Sequence, residues 1–406
     1  MQRNKALTQA PALVREPFLP IPRMRLIPAL AILSGLVIAA VILGWRERDG
    51  VTLQLSLILG AITGVLLQRA RFCFQCIWTD WLDRRDPRGL LAIILALGIG
   101  VAGYTVIFGA WLPDPFGTRL PPTAHIGPVS WALVLAGLAF GAGMAISGSC
   151  ISAHLYRLGE GSPVSPFALI GVCGGFILGF LTWNSLYLSW IFDASPLWLP
   201  RYLGYGGALV AVLAILLGLA LWLLRSLPKP LQAEPSLSKR ILIDRWPAWI
   251  GGLGIGLVGT VAYLRLSPLG VTAEISARSR QVADAFGWIP ARLEGLDTLR
   301  GCATVIRDAL LTPNGLFVLG LVWAAFAAAL ISGASRRPRP DGTHVLRGLI
   351  GGVLLGWGSL TGLGCNVGTL LSGISAGAVS GWVFALTVVV ATTGVTLAGR
   401  RLGWLP

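Results

Sequence analysis

The amino-acid sequence predicts an all-α polytopic membrane protein of about ten spans, with re-entrant half-helices and an inverted-topology repeat, and three observations carry that prediction. The first is composition: 55% of the 406 residues are hydrophobic and only 12% charged, too apolar for a surface wetted by water. The second is run length. A helical span takes about 20 apolar residues, and ten runs meet or approach that: 26–44, 52–68, 89–111, 128–147, 164–183, 202–224, 248–266, 314–334, 347–363 and 378–398. The short alternating strands of a membrane β-barrel are absent from the pattern. The third is an internal echo. AGLAFGAGMAISGSC (136–150) slides onto GGVLLGWGSLTGLGC (351–365), laying Gly137 on Gly352, Gly141 on Gly356, Gly143 on Gly358 and Cys150 on Cys365, the signature of a repeated unit.

Taken in order, residues 1–25 read as a polar, proline-rich cytoplasmic tail. The first span runs into WRERDG with no small-residue cleavage site, which makes it an anchor rather than a removed signal peptide. A first membrane repeat is expected over 26–224, a cytoplasmic linker over 225–247, a second repeat over 248–398 and a short tail over 399–406. With the N-terminus inside, Arg84, Arg85, Arg88, Lys239, Arg240, Arg336, Arg337 and Arg339 all fall in cytoplasmic segments, as the positive-inside rule requires; both termini are then cytoplasmic. The formal charge of +15 is explained by that retention, and no RNA- or DNA-reading module accompanies it. The fourth and ninth runs, which carry the echo, lie five spans apart, so one points inward and the other outward, an inverted repeat of the kind many transporters use. The long external segment 267–313 balances five Arg against five acids and reads as amphipathic helices lying on the membrane.

After each echoed cysteine comes a stretch, SCISAHLYRLGEGSP or GCNVGTLLSGISAGA, too short and glycine-broken to span. These are the expected half-helices. Interrupted backbone at membrane depth is tolerated only where protein buries it or a cavity receives it, and a half-helix beginning at Cys150 or Cys365 aims free N–H groups and its positive dipole end inward, a setting that attracts anions. RARFCFQCIWTD (69–80) adds Cys73 and Cys76 beside Arg69 and Arg71. Zinc would want four N or S ligands, and the chain has only three histidines and no second C-x-x-C, so neither a metal nor a cofactor is expected. Cys173 reads as a packing residue, and Cys302 has no evident partner. His154 and Glu160 are ionisable groups near membrane depth and hence candidates; the alternative puts Arg157 and Glu160 in water as a surface pair. Glycines four apart (137/141, 175/179, 352/356) suit close helix packing. Without a Walker A motif, a dinucleotide fingerprint or a nucleophile elbow, enzymatic chemistry is not expected.

Together, RARFCFQC, GSCISAHLYRLGEGS and GLGCNVGTLLSGI resemble the cysteine motifs of the YeeE/YedE family of bacterial inner-membrane proteins, which includes thiosulfate transporters, and the likeness runs from about residue 52 to 398. The resemblance implies an hourglass-like bundle with short helices dipping in from both faces and a central path lined by Cys73 in RFCF, Cys150 in GSC and Cys365 in GCN, with Ser149 and Asn366 next to them. Arg69, Arg71, Cys76, His154 and Glu160 would be accessory. It further implies a multi-pass inner-membrane importer of a sulfur-containing anion, thiosulfate above all, working with a small cytoplasmic sulfur-carrier protein. Three features depart from the family pattern: Cys76 stands where a small residue is expected, residues 1–50 are extra, and the 267–313 insert is long. A selenium compound is the alternative cargo, since the YedE branch is associated with selenium metabolism. The rival readings are a membrane thiol enzyme, sulfurtransferase or redox, built on Cys73 and Cys76, and a general anion channel. Neutral S–H groups suit a soft dianion, which a conduit must hold firmly enough to admit and loosely enough to release.

Overall fold

Apolar runs that cannot leave backbone N–H and C=O groups unpaired in lipid must close those bonds within themselves, as helices. The computed structural model describes residues 23–46, 49–226, 244–268, 270–290, 292–296, 299, 311–334 and 339–405. They form fourteen helical elements: α1 Arg23–Gly44, α2 Gly50–Ala70, α3 Phe74–Arg84, α4 Arg88–Trp111, α5 Trp131–Ser147, α6 Ile151–Glu160, α7 Ser165–Leu186 with a π turn to Ile191, α8 Leu199–Leu224, α9 Ala248–Arg265, α10 Val271–Ala285, α11 Pro313–Ser332, α12 Gly342–Thr361, α13 Asn366–Ser375 and α14 Val379–Arg401. All ten apolar runs land on helices. Among the described residues nine helices are long and apolar enough to cross a bilayer, ten when the bent pair α12–α13 counts as one span. The only β pairing there is two isolated bridges, Pro128 to Pro196 and Trp198 to Ala378.

The half-helices begin where the glycine breaks place them, with Cys150 the N-cap of α6 and Cys365 the N-cap of α13. Their directions differ. The α5–α6 pair continues as one broken run, Trp131–Glu160, whereas α13 turns 44° away from α12 and winds its first seven residues, Asn366–Ser372, as a π-helix. Two further short helices follow long ones in the same manner: α3 after α2, and α10 after α9. The second corrects the surface-lying reading of 267–313 over Val271–Ala285, residues 300–310 lying outside the described residues: Val271, Thr272, Ala273, Ser276, Ala277 and Ser279 of α10 are buried, because a face of small side chains lets it pack against α7 and α11.

Helix contacts repeat with a period of seven elements. α2 packs on α11 as α9 packs on α4; α5 on α14 as α12 on α7; α1 on α11 as α8 on α4; α6 on α11 as α13 on α4. In this pattern α8 is the mate of α1. Helices in lipid gain no hydrophobic drive to associate, so close van der Waals approach holds them, and glycine makes that approach possible. At the α7–α12 crossing a Cβ on Gly175 would come within 2.9 Å of Gly356 Cα, and one on Gly352 within 2.9 Å of Gly171 Cα. At the α5–α14 crossing, Gly141 faces Ala391 at the same separation.

Gly352→Val is therefore expected to destabilise the protein by about 1–3 kcal/mol through overpacking, read as a lower midpoint of thermal unfolding in detergent. Gly394→Ala, whose added carbon meets nothing within 4 Å, serves as the unshifted control.

Candidate functional site

Each break uses the conformation that stops a helix. Arg71 (φ 50°), Gly148 (φ 78°) and Leu363 (φ 58°) turn left-handed, and the chain re-enters a helix at an extended residue: Cys73 (φ −127°), Cys150 (φ −82°) and Cys365 (φ −107°). Each sulfur lies over first-turn N–H groups of its own helix, that of Cys76 beneath Cys73, Ala153 beneath Cys150, and Val367 and Gly368 beneath Cys365. None makes a regular capping bond. The fourth such position, at α10, is Gly270.

The breaks meet in pairs. Cys73, fully buried, neighbours both Cys150 and Cys76, and Cys150 Sγ lies 3.3 Å from Ser152 Oγ. Cys365 sits beside Thr272 of α10 rather than in that trio. The two pairs are linked by Asn366, next to Cys365, whose Nδ2 donates to Met144 Sδ at 3.2 Å near the end of α5. Asn366 Oδ1 and Gln75 Oε1 are buried acceptors with no partner among the described residues. Leaving such an atom unpaired costs about 1–3 kcal/mol, so both suit a water or another donor between the halves, which a dianion is not. Ser149 is buried but turned to the backbone, its hydroxyl donating to Gly148 O at 2.6 Å.

A cavity of about 490 Å³ opens at one end of the bundle, its wall including Gln68, Arg69, Arg71, Arg157, Glu160 and Arg245. Four guanidinium groups against one carboxylate raise the local concentration of anions. Arg69 is held in place, donating to the carbonyl of Asp244 and lying 5.8 Å from the Trp246 ring centroid, while Glu160 accepts from Gln68 Nε2 at 3.3 Å. Arg157 joins the basin to the thiols by a direct bond: its Nη2 donates to Cys76 Sγ at 3.0 Å and its Nη1 to Gly148 O at 3.3 Å. It is thus no surface partner of Glu160. Its only sequence signal was its place one turn past His154 in the cysteine motif. His154 is buried with both ring nitrogens engaged, 3.0 Å from Ser147 Oγ and 3.2 Å from Ser165 Oγ, and so ties α5, α6 and α7 together. Cys173 is exposed on α7, and Cys302 lies outside the described residues. Among those residues no group of three His, Cys, Asp or Glu could hold a metal ion.

The opposite end of the bundle is filled. The segment 112–130 folds over it: Tyr263 OH donates to Pro122 O at 2.7 Å, Tyr205 OH to Leu112 O at 2.6 Å, and His125 Nδ1 lies 2.7 Å from Gly368 O of α13. Tyr104, Phe108, Trp198 and Tyr263 pack beneath it. The cavity left beside His125 is only about 20 Å³, roughly one water sphere. Burial holds the His125 imidazole below its usual pKa, and therefore neutral, against the opposing pull of the Gly368 carbonyl.

Comparison with known proteins places this geometry in context. A family model described as Sulphur transport matches residues 69–394, a range that contains all three cysteine motifs. The chain is 26% identical over 354 residues to a protein named Thiosulfate transporter TsuA of Spirochaeta thermophila, covering 82% of this chain and 95% of that one. It is likewise 26% identical over 347 residues to Thiosulfate transporter TsuA of Escherichia coli, covering 81% and 89%. A third relative, named Probable transporter YedE of Escherichia coli, is 28% identical over 193 residues, 46% and 45% of the two chains.

The His125 contact predicts a pH dependence with a definite sign. A histidine kept neutral by burial is protonated more readily once its segment opens, so closure is at full strength above the ordinary imidazole pKa of about 6.5 and weakens as pH falls through it. Hydrogen exchange of the amides around Ala124–Ile126, corrected for intrinsic chemistry, should show more opening at acid pH, and His125→Gln should flatten that dependence.

Proposed function

The chain belongs to the Sulphur transport family, and from that footing we propose that it imports thiosulfate across the bacterial inner membrane along a path that runs past Cys365, Cys150 and Cys73 into the arginine basin. The observation that carries the reading is Arg157, which lines the basin and donates to Cys76 Sγ at 3.0 Å, beside the contact of Cys73 with Cys150. A cationic collecting surface is thereby continuous with a line of buried thiols. The names of the two relatives matched over most of their length support thiosulfate as the cargo; they are named as transporters, and this chain is a transporter rather than an enzyme.

Thiosulfate spreads two negative charges over three oxygens and a soft terminal sulfur. Neutral S–H groups donate weakly, and the first turns of the short helices add partial positive charge, so successive sites stabilise the dianion without trapping it. Arg157 supplies a full charge hydrogen-bonded to a thiol, and Arg69, Arg71 and Arg245 compete for the anion and draw it into the basin. Asn366 offers its amide next to Cys365, and Ser149 shapes the turn that presents Cys150. His154 and Glu160 serve as scaffold and basin wall. The basin carries Arg69, Arg71, Arg157 and Arg245 on its wall, and the positive-inside rule supports a cytoplasmic basin, with both termini on the same side. A small acidic sulfur-carrier protein fits that basic rim. In this reading the two halves part at the turn between α7 and α8, so that the run 202–224 joins the second half instead of closing the first.

Uptake of labelled thiosulfate into proteoliposomes tests the path. Cys150→Ala and Cys365→Ala should each lower uptake about tenfold or more, equivalent to a barrier raised by about 1.4 kcal/mol. Arg157→Gln should act mainly on the substrate concentration needed for half-maximal uptake. Undiminished uptake by both cysteine variants would contradict the thiol path.

A further inference from the structure

Cys76 enters the conduit just described only as the thiol that Arg157 engages, yet it sits where a second sulfur can act on the first. It is the third residue of α3, whose N-cap is Cys73. Three helical residues rise 4.5 Å and turn 300°, which sets their Cα atoms about 5 Å apart, inside the range of about 4.4–6.8 Å that a disulfide spans. Along a regular helix such side chains diverge. Here the extended backbone of Cys73 (φ −127°, ψ 120°) swings its side chain back over the first turn, as N-cap residues do, and sets the Cys73 thiol beside the Cys76 thiol. Both side chains are buried, at 0% and 8% exposure, but Arg157, which lines the open basin, donates to Cys76 Sγ, so a small uncharged oxidant entering the basin comes within one side chain of the pair. Cys73 also contacts Cys150, so whatever removes its S–H acts on the proposed path.

We propose that Cys73 and Cys76 are a redox modification site: peroxide converts them to an intramolecular disulfide, and that disulfide shuts the conduit. The stoichiometry is two thiols and one hydrogen peroxide giving one disulfide and two waters. The sulfurs together lose two protons and two electrons, the peroxide O–O bond breaks, and each oxygen leaves as water. A dithiol reverses the change by exchange. Oxidation takes from Cys73 the hydrogen it would offer a passing anion and from Arg157 the thiol it engages. Bond formation is independent of cargo, whereas the shut conduit rests on the transport reading given above.

The test uses the full chain in proteoliposomes, treated with hydrogen peroxide and then with dithiothreitol. Both cysteines fall in one tryptic peptide, 72–84. After peroxide that peptide should be lighter by two hydrogens and refuse alkylation, thiosulfate uptake should fall at least tenfold, and dithiothreitol should restore both. Cys76→Ser should keep the same uptake with and without peroxide, whatever its untreated rate. An unchanged peptide 72–84, or one joined through Cys73 to the peptide carrying Cys150, would overturn the site. A disulfide at 73–76 with uptake unaltered would overturn the closure. Wild-type vesicles that take up no thiosulfate before treatment would overturn the transport reading, and the peptide mass would still decide the modification.

Discussion

Backbone that leaves a helix inside a bilayer must find its hydrogen-bond partners within the protein, and the centre of this molecule is organised by four such interruptions. Three other helices are capped in the ordinary way: Ser130 accepts from Leu133 N, Thr312 from Gly315 N and Asp341 from His344 N. At three of the four central breaks the N-cap is cysteine, and at the fourth it is glycine. Sulfur is a weak acceptor where Ser, Thr, Asp and Asn oxygens are strong ones. First-turn N–H groups under Cys73, Cys150 and Cys365 therefore keep part of their donor capacity. A strongly capped helix would have spent that capacity on its own side chain, and a carboxylate cap would have repelled an anion. The same weakness that makes cysteine a poor cap makes these three helix ends suited to receive a dianion in passing.

Against the paired helix contacts, the two ends of the bundle are unlike. The basin lies among the ends of α2, α6 and α11, with arginines on its wall; at the far end of α9 the corresponding space is taken by 112–130 and the aromatic cluster of Tyr104, Phe108, Trp198 and Tyr263. The segment joining α4 to α5 is long enough to fold back over the bundle, and the one joining α11 to α12 is short. Loop length thus breaks the symmetry that the helices keep, leaving a molecule open at its cationic end and closed at the other. His125 is the polar pin of that closure, because its ring nitrogen reaches Gly368 in the π-wound turn that follows Cys365.

Much of this was legible in the sequence. The ten apolar runs announced their helices through length alone, because a bilayer imposes a minimum. Glycine breaks before Cys150 and Cys365 marked the helix starts, and glycines four apart marked the crossings where backbones touch. What could not be read was reach. Arg157 and Glu160 share one exposed-looking stretch, and only the fold shows the guanidinium crossing to Cys76 on α3. His154 has the composition of a proton carrier and the contacts of a bracket, since Ser147 and Ser165 come to it from neighbouring helices. α10 was hidden because its alternating charges suggest a membrane surface, while the small residues that bury it, Ala273, Ser276 and Ala277, carry no periodic hydrophobic signal.

The most direct test of a thiol path fed by Arg157 is to locate the anion itself. Selenosulfate keeps the charge and shape of thiosulfate while its terminal selenium scatters anomalously, so a crystal of the protein soaked with it reports the position of the soft atom. The account predicts selenium between Arg157 and the sulfurs of Cys73 and Cys150. Selenium found only in the outer part of the basin, or displaced equally well by sulfate at every position, would contradict it.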